Sequence, residues 1–302
     1  MCKARLARAP AILGILKAIG FALTLLAMAR NLTSKVIVIT GGSSGIGEAT
    51  ALRAAEAGMD VVLAARRTER LTEVAAPIRH RGRAVLTVPC DVTNWSDNER
   101  LFEQAWDRFG RVDVVFANAG YGMFGSVLDT PMADHRTIFE VNYFGTLHTL
   151  QAGAPYLRST DSGLKQMLIC SSAGSELALP MFGAYAATKA AQKSIGGALR
   201  AELADEGMTV PTVHPVGTKT PFFDTARERS PVTEAGDPAT TNTPPGLMQS
   251  ARHVAKTIVA AIRRPKPEVW PMRSSRWALA LSNALPRVTA CAMRRHYHRI
   301  RG

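Results

Sequence analysis

Short, nearly uninterrupted apolar runs recur along the chain, separated by stretches whose apolar positions follow helical spacing. The runs at 36–39, 60–65, 84–89, 112–117, 166–170, 208–214 and 268–270 predict strands. Rich in β-branched residues and without polar alternation, they read as strands covered on both faces of a parallel sheet. Between them, residues 48–57, 94–109, 131–156, 184–205 and 251–263 predict helices. Regular alternation of this kind implies an α/β fold, a doubly wound parallel sheet in three α/β/α layers with right-handed crossovers.

Three stretches leave the pattern. Residues 11–29 form a 19-residue apolar run with one charge, Lys17, preceded by Lys3, Arg5 and Arg8. That is about long enough to span a bilayer, and Lys17 is near enough to one end to snorkel. A membrane anchor is the preferred reading, with a cleaved signal peptide, an interfacial helix and a plain covering helix as alternatives. Residues 222–250 are rich in Pro, Thr and Gly, which predicts a mobile lid over about 216–250. The tail at 273–302 mixes Trp277, Leu279, Leu281, Leu285 and Val288 with Arg and His, suiting an anionic membrane surface. A disordered or nucleic-acid-binding tail is the alternative. The expected division is therefore an anchor segment at 1–33, one α/β domain at 34–270 and a basic amphipathic tail at 271–302.

Composition and charge sharpen that division. With 302 residues, 46% of them apolar, the chain can bury one sizeable core. The net charge of +13 is concentrated at the ends: residues 1–30 carry five Lys/Arg and no acid, and 263–302 carry ten against Glu268. The remaining 22 basic and 23 acidic groups leave residues 31–262 at −1, with no electrostatic footprint for nucleic acid. Cys2, Cys90, Cys170 and Cys291 are scattered without a CxxC pair, so a reduced chain is expected. No histidine spacing suggests a metal site.

The chemistry begins at residues 35–47, KVIVITGGSSGIG, where a buried strand breaks into a glycine turn and a helix. Such a turn lets backbone approach a pyrophosphate while the helix N-terminus offers it unpaired N–H groups. The next strand ends at Ala65, followed by Arg66 and Arg67. An acid there would bond a free ribose 2′-hydroxyl; Ala65 and Arg66 instead leave room and charge for a 2′-phosphate, favouring NADP(H) over NAD(H). Further strand ends carry Asp91 with Val92 and Asn118-Ala119-Gly120, on the edge where this architecture binds ligands. Lys189 lies four residues after Tyr185, one helical turn away on the same face, so a cation there would favour the phenolate.

The spacing Gly41-x3-Gly45-x-Gly47 after Thr40 resembles the fingerprint of the short-chain dehydrogenase/reductase family. Asp91, the NAG at 118–120, Asn142 in EVNYFG, Ser172 and the YxxxK pair Tyr185 and Lys189 follow in that family's order. The resemblance covers about residues 34–270 and implies a Rossmann-like domain. It implies a catalytic set of Asn142, Ser172, Tyr185 and Lys189: Asn142 kinks its helix and holds a relay water, Ser172 holds the reacting oxygen, and Tyr185 exchanges the proton. Cofactor contacts are expected from Gly41, Ser43, Ser44, Gly45, Ile46, Gly47, Arg66, Arg67, Asp91, Val92, Asn118, Ala119, Gly120, Tyr185 and Lys189. Within HPVGTKTPFF, Pro215, Gly217, Thr218 and Thr220 complete the set, although Val216 intervenes where most relatives have glycine directly after the proline.

The function expected is an NADP(H)-dependent oxidoreductase interconverting a ketone and a secondary alcohol on a lipid-, steroid- or retinoid-like substrate. Apolar residues flanking the motifs, among them Tyr121, Met123, Phe124, Leu177, Leu179, Met181, Phe182, Phe222 and Phe223, line such a pocket or serve as core. An NADP-binding sensor or scaffold at a membrane is the alternative. Localisation is expected at a membrane with the domain cytoplasmic, the endoplasmic-reticulum lumen being the alternative. A homodimer through the helices carrying Asn142 and Tyr185 is the form usual among relatives.

Overall fold

A computed structural model of the chain describes residues 29–230 and 248–301, with side chains through His298. Seven strands form one parallel sheet: β1 (Val36–Thr40), β2 (Asp60–Ala65), β3 (Val85–Pro89), β4 (Val114–Ala117), β5 (Gln166–Cys170), β6 (Thr212–Val213) and β9 (Glu268–Val269). Their order is β3-β2-β1-β4-β5-β6-β9. The chain winds outward in one direction from β1 and in the other from β4, so a crevice opens at the carboxyl ends of that pair. Strands β7 (Thr218–Lys219) and β8 (Gln249–Ser250) pair separately and tie the segment after β6 to the helix that follows.

Alternate residues of each strand feed opposite layers. Ile37, Ile39, Leu63, Phe116 and Leu168 pack with α1 (Gly45–Glu56), α2 (Thr68–His80) and α8 (Ala251–Arg263), through residues such as Ala54, Leu71 and Ile258. Val36, Val38, Val62 and Val115 pack instead with α3 (Trp95–Phe109) and α5 (Gly145–Ser159), through Leu101, Phe102 and Leu157. A period of two in each strand thus supplies two cores from one sheet. Asn94, expected inside α3, stands just outside as its cap, accepting the Ser96 N–H at 3.0 Å. At the other end Gly110 takes the left-handed conformation, φ 64°, that closes a helix.

Several expectations are corrected by local chemistry. The run at 131–156 is not one regular helix but α4 (Met132–Phe139), a π turn at Glu140–Phe144, and α5 extending to Ser159. The strand expected at 208–214 shortens to Thr212–Val213. Thr209 and Pro211 still accept hydrogen bonds from Met167 and Ile169, but Pro211 has no N–H to return. The lid begins as a helix, α7 (Phe222–Glu228), following α6 (Gly183–Glu202) and β7 in the chain; residues 231–247 of the lid lie outside the described residues. The tail is two helices, α9 (Arg273–Ala284) and α10 (Pro286–Arg301). Of the expected anchor, residues 1–28 lie outside the described residues; among those described, no helix is long and apolar enough to cross a membrane.

Candidate active site

The glycine turn forms because its geometry excludes side chains. Gly41 and Gly45 have φ of 66° and 61°, and a Cβ on Gly47 would sit 2.3 Å from the Gly41 carbonyl oxygen and 2.7 Å from Asn118 Nδ2. Ser44, which caps α1, makes no side-chain cap bond. The first N–H groups of α1 thus take no bond from that side chain, and a helix N-terminus of this kind suits an anion. Asn118 braces the turn from β4, its Nδ2 donating to the carbonyls of Thr40 at 2.9 Å and Gly41 at 3.3 Å.

A cavity of about 1180 Å³ runs from this turn past the ends of β2, β4 and β5 and under α7, α9 and α10. It brings together Gly41, Ser43, Ser44, Gly45, Ile46, Arg66, Arg67, Asp91, Val92, Asn118, Ala119, Gly120, Ser172, Tyr185, Lys189, Pro215, Gly217, Thr218 and Thr220. Gly47 and Asn142 do not line it. Gly47 acts beneath the loop, and Asn142 is fully buried behind the wall. Arg67, not Arg66, folds over the turn, its Nη2 donating to Ser43 Oγ at 3.2 Å and Ser44 Oγ at 3.0 Å. Arg66 points toward Asp91, 3.8 Å away. Asp91 Oδ1 accepts from Thr93 N and Oγ1 at 3.0 and 2.8 Å.

The catalytic end is organised by Asn142. Its Oδ1 accepts the Tyr121 N–H, and its Nδ2 donates to the Tyr121 carbonyl and to Thr188 Oγ1, each at 3.0 Å. Asn142 itself is fully buried. The carbonyl of Asn142, in the π turn, accepts from Gln192 Nε2 at 2.6 Å. Gln192 Oε1 in turn accepts from Lys189 Nζ at 2.8 Å, and Lys189 Nζ also donates to the Cys170 carbonyl at 2.8 Å. With two of its three donors so held, Lys189 keeps its third for the cavity, its Nζ 5.5 Å from the Tyr185 ring centre. Gln192 was not singled out from sequence; only its place three residues after Lys189, on the same helical face, hints at it.

Burial governs the protonation of this group. It pushes the Tyr185 phenol well above its ordinary value, a hydrogen bond from Ser172 opposing the shift only in part. It also brings Lys189 down to about 8. The expected electrostatic preference for phenolate is thus outweighed by desolvation in this geometry. Ser172 is steadied by its own loop, its Oγ accepting the Gly174 N–H at 3.0 Å. Beneath it His214 stacks on Trp270, ring centres 4.5 Å apart, with Nδ1 3.3 Å from the Ser172 carbonyl. Burial lowers the pKa of His214.

Beyond Tyr185 the wall is aromatic. Phe182 and Phe222 lie 4.4 and 5.4 Å from its ring, and Phe124 stacks on Phe182 at 4.9 Å. Tyr121, Phe124, Leu177, Leu179, Phe182, Phe222 and Phe223 face the cavity, whereas Met123 and Met181 are core. Sequence reading missed the contribution of α9 and α10: Met272, Ser275, Ala278, Leu279, Met293 and His296 close the same cavity.

The family model described as short chain dehydrogenase matches residues 35–231. The chain belongs to this family. The short-chain dehydrogenase is an oxidoreductase acting on CH–OH groups with a nicotinamide dinucleotide as acceptor. It is 37% identical over 209 residues to an uncharacterized oxidoreductase of Listeria monocytogenes, covering 68% of this chain and 82% of the relative. An uncharacterized oxidoreductase of Staphylococcus aureus is 38% identical over 184 residues, covering 61% and 78%. Among solved structures, a short-chain dehydrogenase/reductase from Burkholderia phymatum in complex with NAD superposes with a TM-score of 0.75 at 26% identity, covering 86% of this chain and 96% of that one. An alcohol dehydrogenase from Thermococcus sibiricus complexed with 5-hydroxy-NADP gives 0.66 at 27%, covering 78% and 95%. The short-chain dehydrogenase has the Rossmann-like fold of these neighbours, and its glycine turn, its uncapped helix N-terminus and the crevice beside them fit a dinucleotide.

Proposed function

We propose that the protein interconverts a ketone and a secondary alcohol on an apolar substrate, using NADP(H). The observation that carries this reading is the position of the Tyr185 phenol, which lies where the polar crevice of the glycine turn meets the aromatic wall of Phe124, Phe182 and Phe222. A dinucleotide, when bound, supplies or accepts the hydride. Tyr185 gives a proton to the substrate oxygen in reduction and takes it back in oxidation. Ser172, held by the Gly174 N–H, orients that oxygen, and Lys189 positions the ribose and stabilises charge developing on the phenol. Asn142 and Gln192 are positioning residues: they hold Tyr121, Thr188 and Lys189 but do not line the cavity.

The preference for NADP(H) rests on Ala65 at the end of β2, where no acid is available to a free 2′-hydroxyl, and on Arg67 gathering Ser43 and Ser44 into a cationic corner. The apolar substrate class rests on the aromatic wall and on Leu177, Leu179 and Leu279. Membrane association through residues 1–33 rests on the apolar run at 11–29, and the cytoplasmic placement of the catalytic domain rests on the reduced nicotinamide cofactor proposed for it. A homodimer through the helices carrying Asn142 and Tyr185 is supported by Phe144, 42% exposed at the end of the π turn that holds Asn142.

Incubation with NADPH and a panel of ketones, followed by absorbance of the reduced nicotinamide, tests the proposal. Turnover of apolar ketones is expected, and Tyr185→Phe should lose it by about 10²- to 10⁴-fold while still binding NADPH. Full turnover by Tyr185→Phe refutes the role of the phenol. NADPH binding with no turnover of any ketone or alcohol favours the sensor reading instead.

A further inference from the structure

The tail helices have two faces with different chemistry. Met272 and, on α9, Ser275 and Leu279 turn inward with Met293 and His296 of α10 to close the catalytic cavity. Outward stand Trp277, Leu281, Leu285 and Val288, exposed by 72%, 62%, 46% and 64%. Trp277 and Leu281 lie one turn apart on α9, Leu285 closes that helix, and Val288 stands in the first turn of α10. So large an apolar stripe on a solvent-facing surface is unfavourable unless something covers it. Arg273, Arg276, Arg287, Arg294 and Arg295 are exposed on the same two helices, Arg276 lying 3.6 Å from Glu268, and residues 271–302 contain no Asp or Glu.

We propose that α9 and α10 dock on an anionic bilayer, with the stripe of Trp277, Leu281, Leu285 and Val288 among the acyl chains and the arginines among anionic headgroups. Charge decides the occupant. A second copy placed symmetrically on this face would set like charges against each other, because the tail carries only cations. Nucleic acid would satisfy the arginines but leave three aliphatic side chains of the stripe without partners. An anionic lipid surface complements both the apolar stripe and its cationic flanks. Because the inner face of the same pair closes the cavity, docking places the membrane next to the substrate end of the site. Apolar substrate then passes between bilayer and cavity across α9 and α10. Only this last step rests on the substrate class proposed above.

The full chain serves for the test, with brominated phosphatidylcholine vesicles with or without phosphatidylserine. Residues 11–29 can bring the chain to vesicles unaided, so the readout must be local to the tail: the tryptophan quenching that Trp277→Phe removes. Trp95, Trp106 and Trp270 form the constant background. Trp277-dependent quenching is expected with phosphatidylserine, reduced by salt, and lost in the double variant Leu281→Glu, Leu285→Glu. That variant should keep NADPH binding and turnover of a water-soluble ketone, while its KM for a vesicle-partitioned ketone rises about tenfold. Flotation without Trp277-dependent quenching overturns the proposal, as does equal quenching on vesicles lacking phosphatidylserine. A vesicle-independent dimer that the double variant dissociates, without quenching in the wild type, assigns the face to a second copy and also overturns it. Quenching needs no redox turnover, so failure of the proposed activity leaves the docking test decisive.

Discussion

Replacing Asn142 with alanine isolates the element on which the catalytic geometry depends. The side chain satisfies both the N–H and the carbonyl of Tyr121 and donates to Thr188 Oγ1, all at 3.0 Å and all buried. Asn142→Ala leaves the two Tyr121 groups without these partners in a site that has no exposure. At about 1–3 kcal/mol for each orphaned group, the loss should be about 2–6 kcal/mol, a large part of the ~5–15 kcal/mol that holds a domain folded. The main-chain carbonyl that accepts from Gln192 Nε2 survives the substitution, so Lys189 keeps its support. A large fall in stability, with activity reduced but not abolished, is therefore expected. Urea unfolding by circular dichroism, with the slope checked for constancy, measures the first; steady-state turnover measures the second. A midpoint within about 0.5 kcal/mol of wild type would refute the reasoning, because that is the range of inconsequential surface changes.

Other substitutions probe the cofactor corner and the buried lysine. Arg67→Ala should weaken NADPH about ten- to a hundredfold and leave NADH nearly unchanged, the loss of a charge-assisted bond to the 2′-phosphate. Arg66→Ala, beside Asp91 and 62% exposed at its side chain, should matter less; equal losses for both cofactors in titrations of Arg67→Ala would sink the assignment. Lys189, lowered by burial to about 8, should impose a fall in kcat/KM as it deprotonates above about pH 8. Gln192→Glu, setting a carboxylate against Nζ, should move that limb upward, and Gln192→Leu should move it downward; an identical profile in all three refutes the positioning role. Stability moves the opposite way with pH. The unfolded chain binds the proton more tightly than the folded one, so the lysine's burial cost is greatest below pH 8 and is relieved as pH rises toward 10.5. Relative to Lys189→Met, the wild type should gain up to about 3 kcal/mol across that window, measured by unfolding at several pH values.

The parts of the site that were legible in sequence are those fixed by local constraints. Gly41 and Gly45 must adopt positive φ, Gly47 must lack a side chain against the Gly41 carbonyl, and Tyr185 and Lys189 must share a helical face. Each leaves a residue-type signature at short range. What was not legible depends on distant chain meeting distant chain. Gln192 reads as an ordinary polar helix residue until the π turn at Glu140–Phe144 presents the Asn142 carbonyl to it, 50 positions away in sequence. The choice of Arg67 over Arg66 follows from the extended backbone of Arg67 at the start of α2 together with the positions of Ser43 and Ser44. The roof made by Met272, Leu279 and Met293 spans the break at Pro286, and no single hydrophobic period reveals it.

The protonation of the Tyr185 and Lys189 pair follows from the same distinction. Their spacing fixes adjacency, but burial fixes the sign of the larger effect, because both ionised forms are disfavoured away from water. The phenol is therefore held as an acid, the form that donates in reduction, while Lys189 is poised to gain or lose a proton near neutrality. Oxidation requires the opposite state of Tyr185, and the charge that would stabilise a phenolate is Lys189 in its protonated form, 5.5 Å from the ring. Gln192 and the Cys170 carbonyl supply that form with two acceptors, offsetting part of its desolvation. The protonated lysine thus takes part of its support from Gln192, a residue outside the motif that identifies the family.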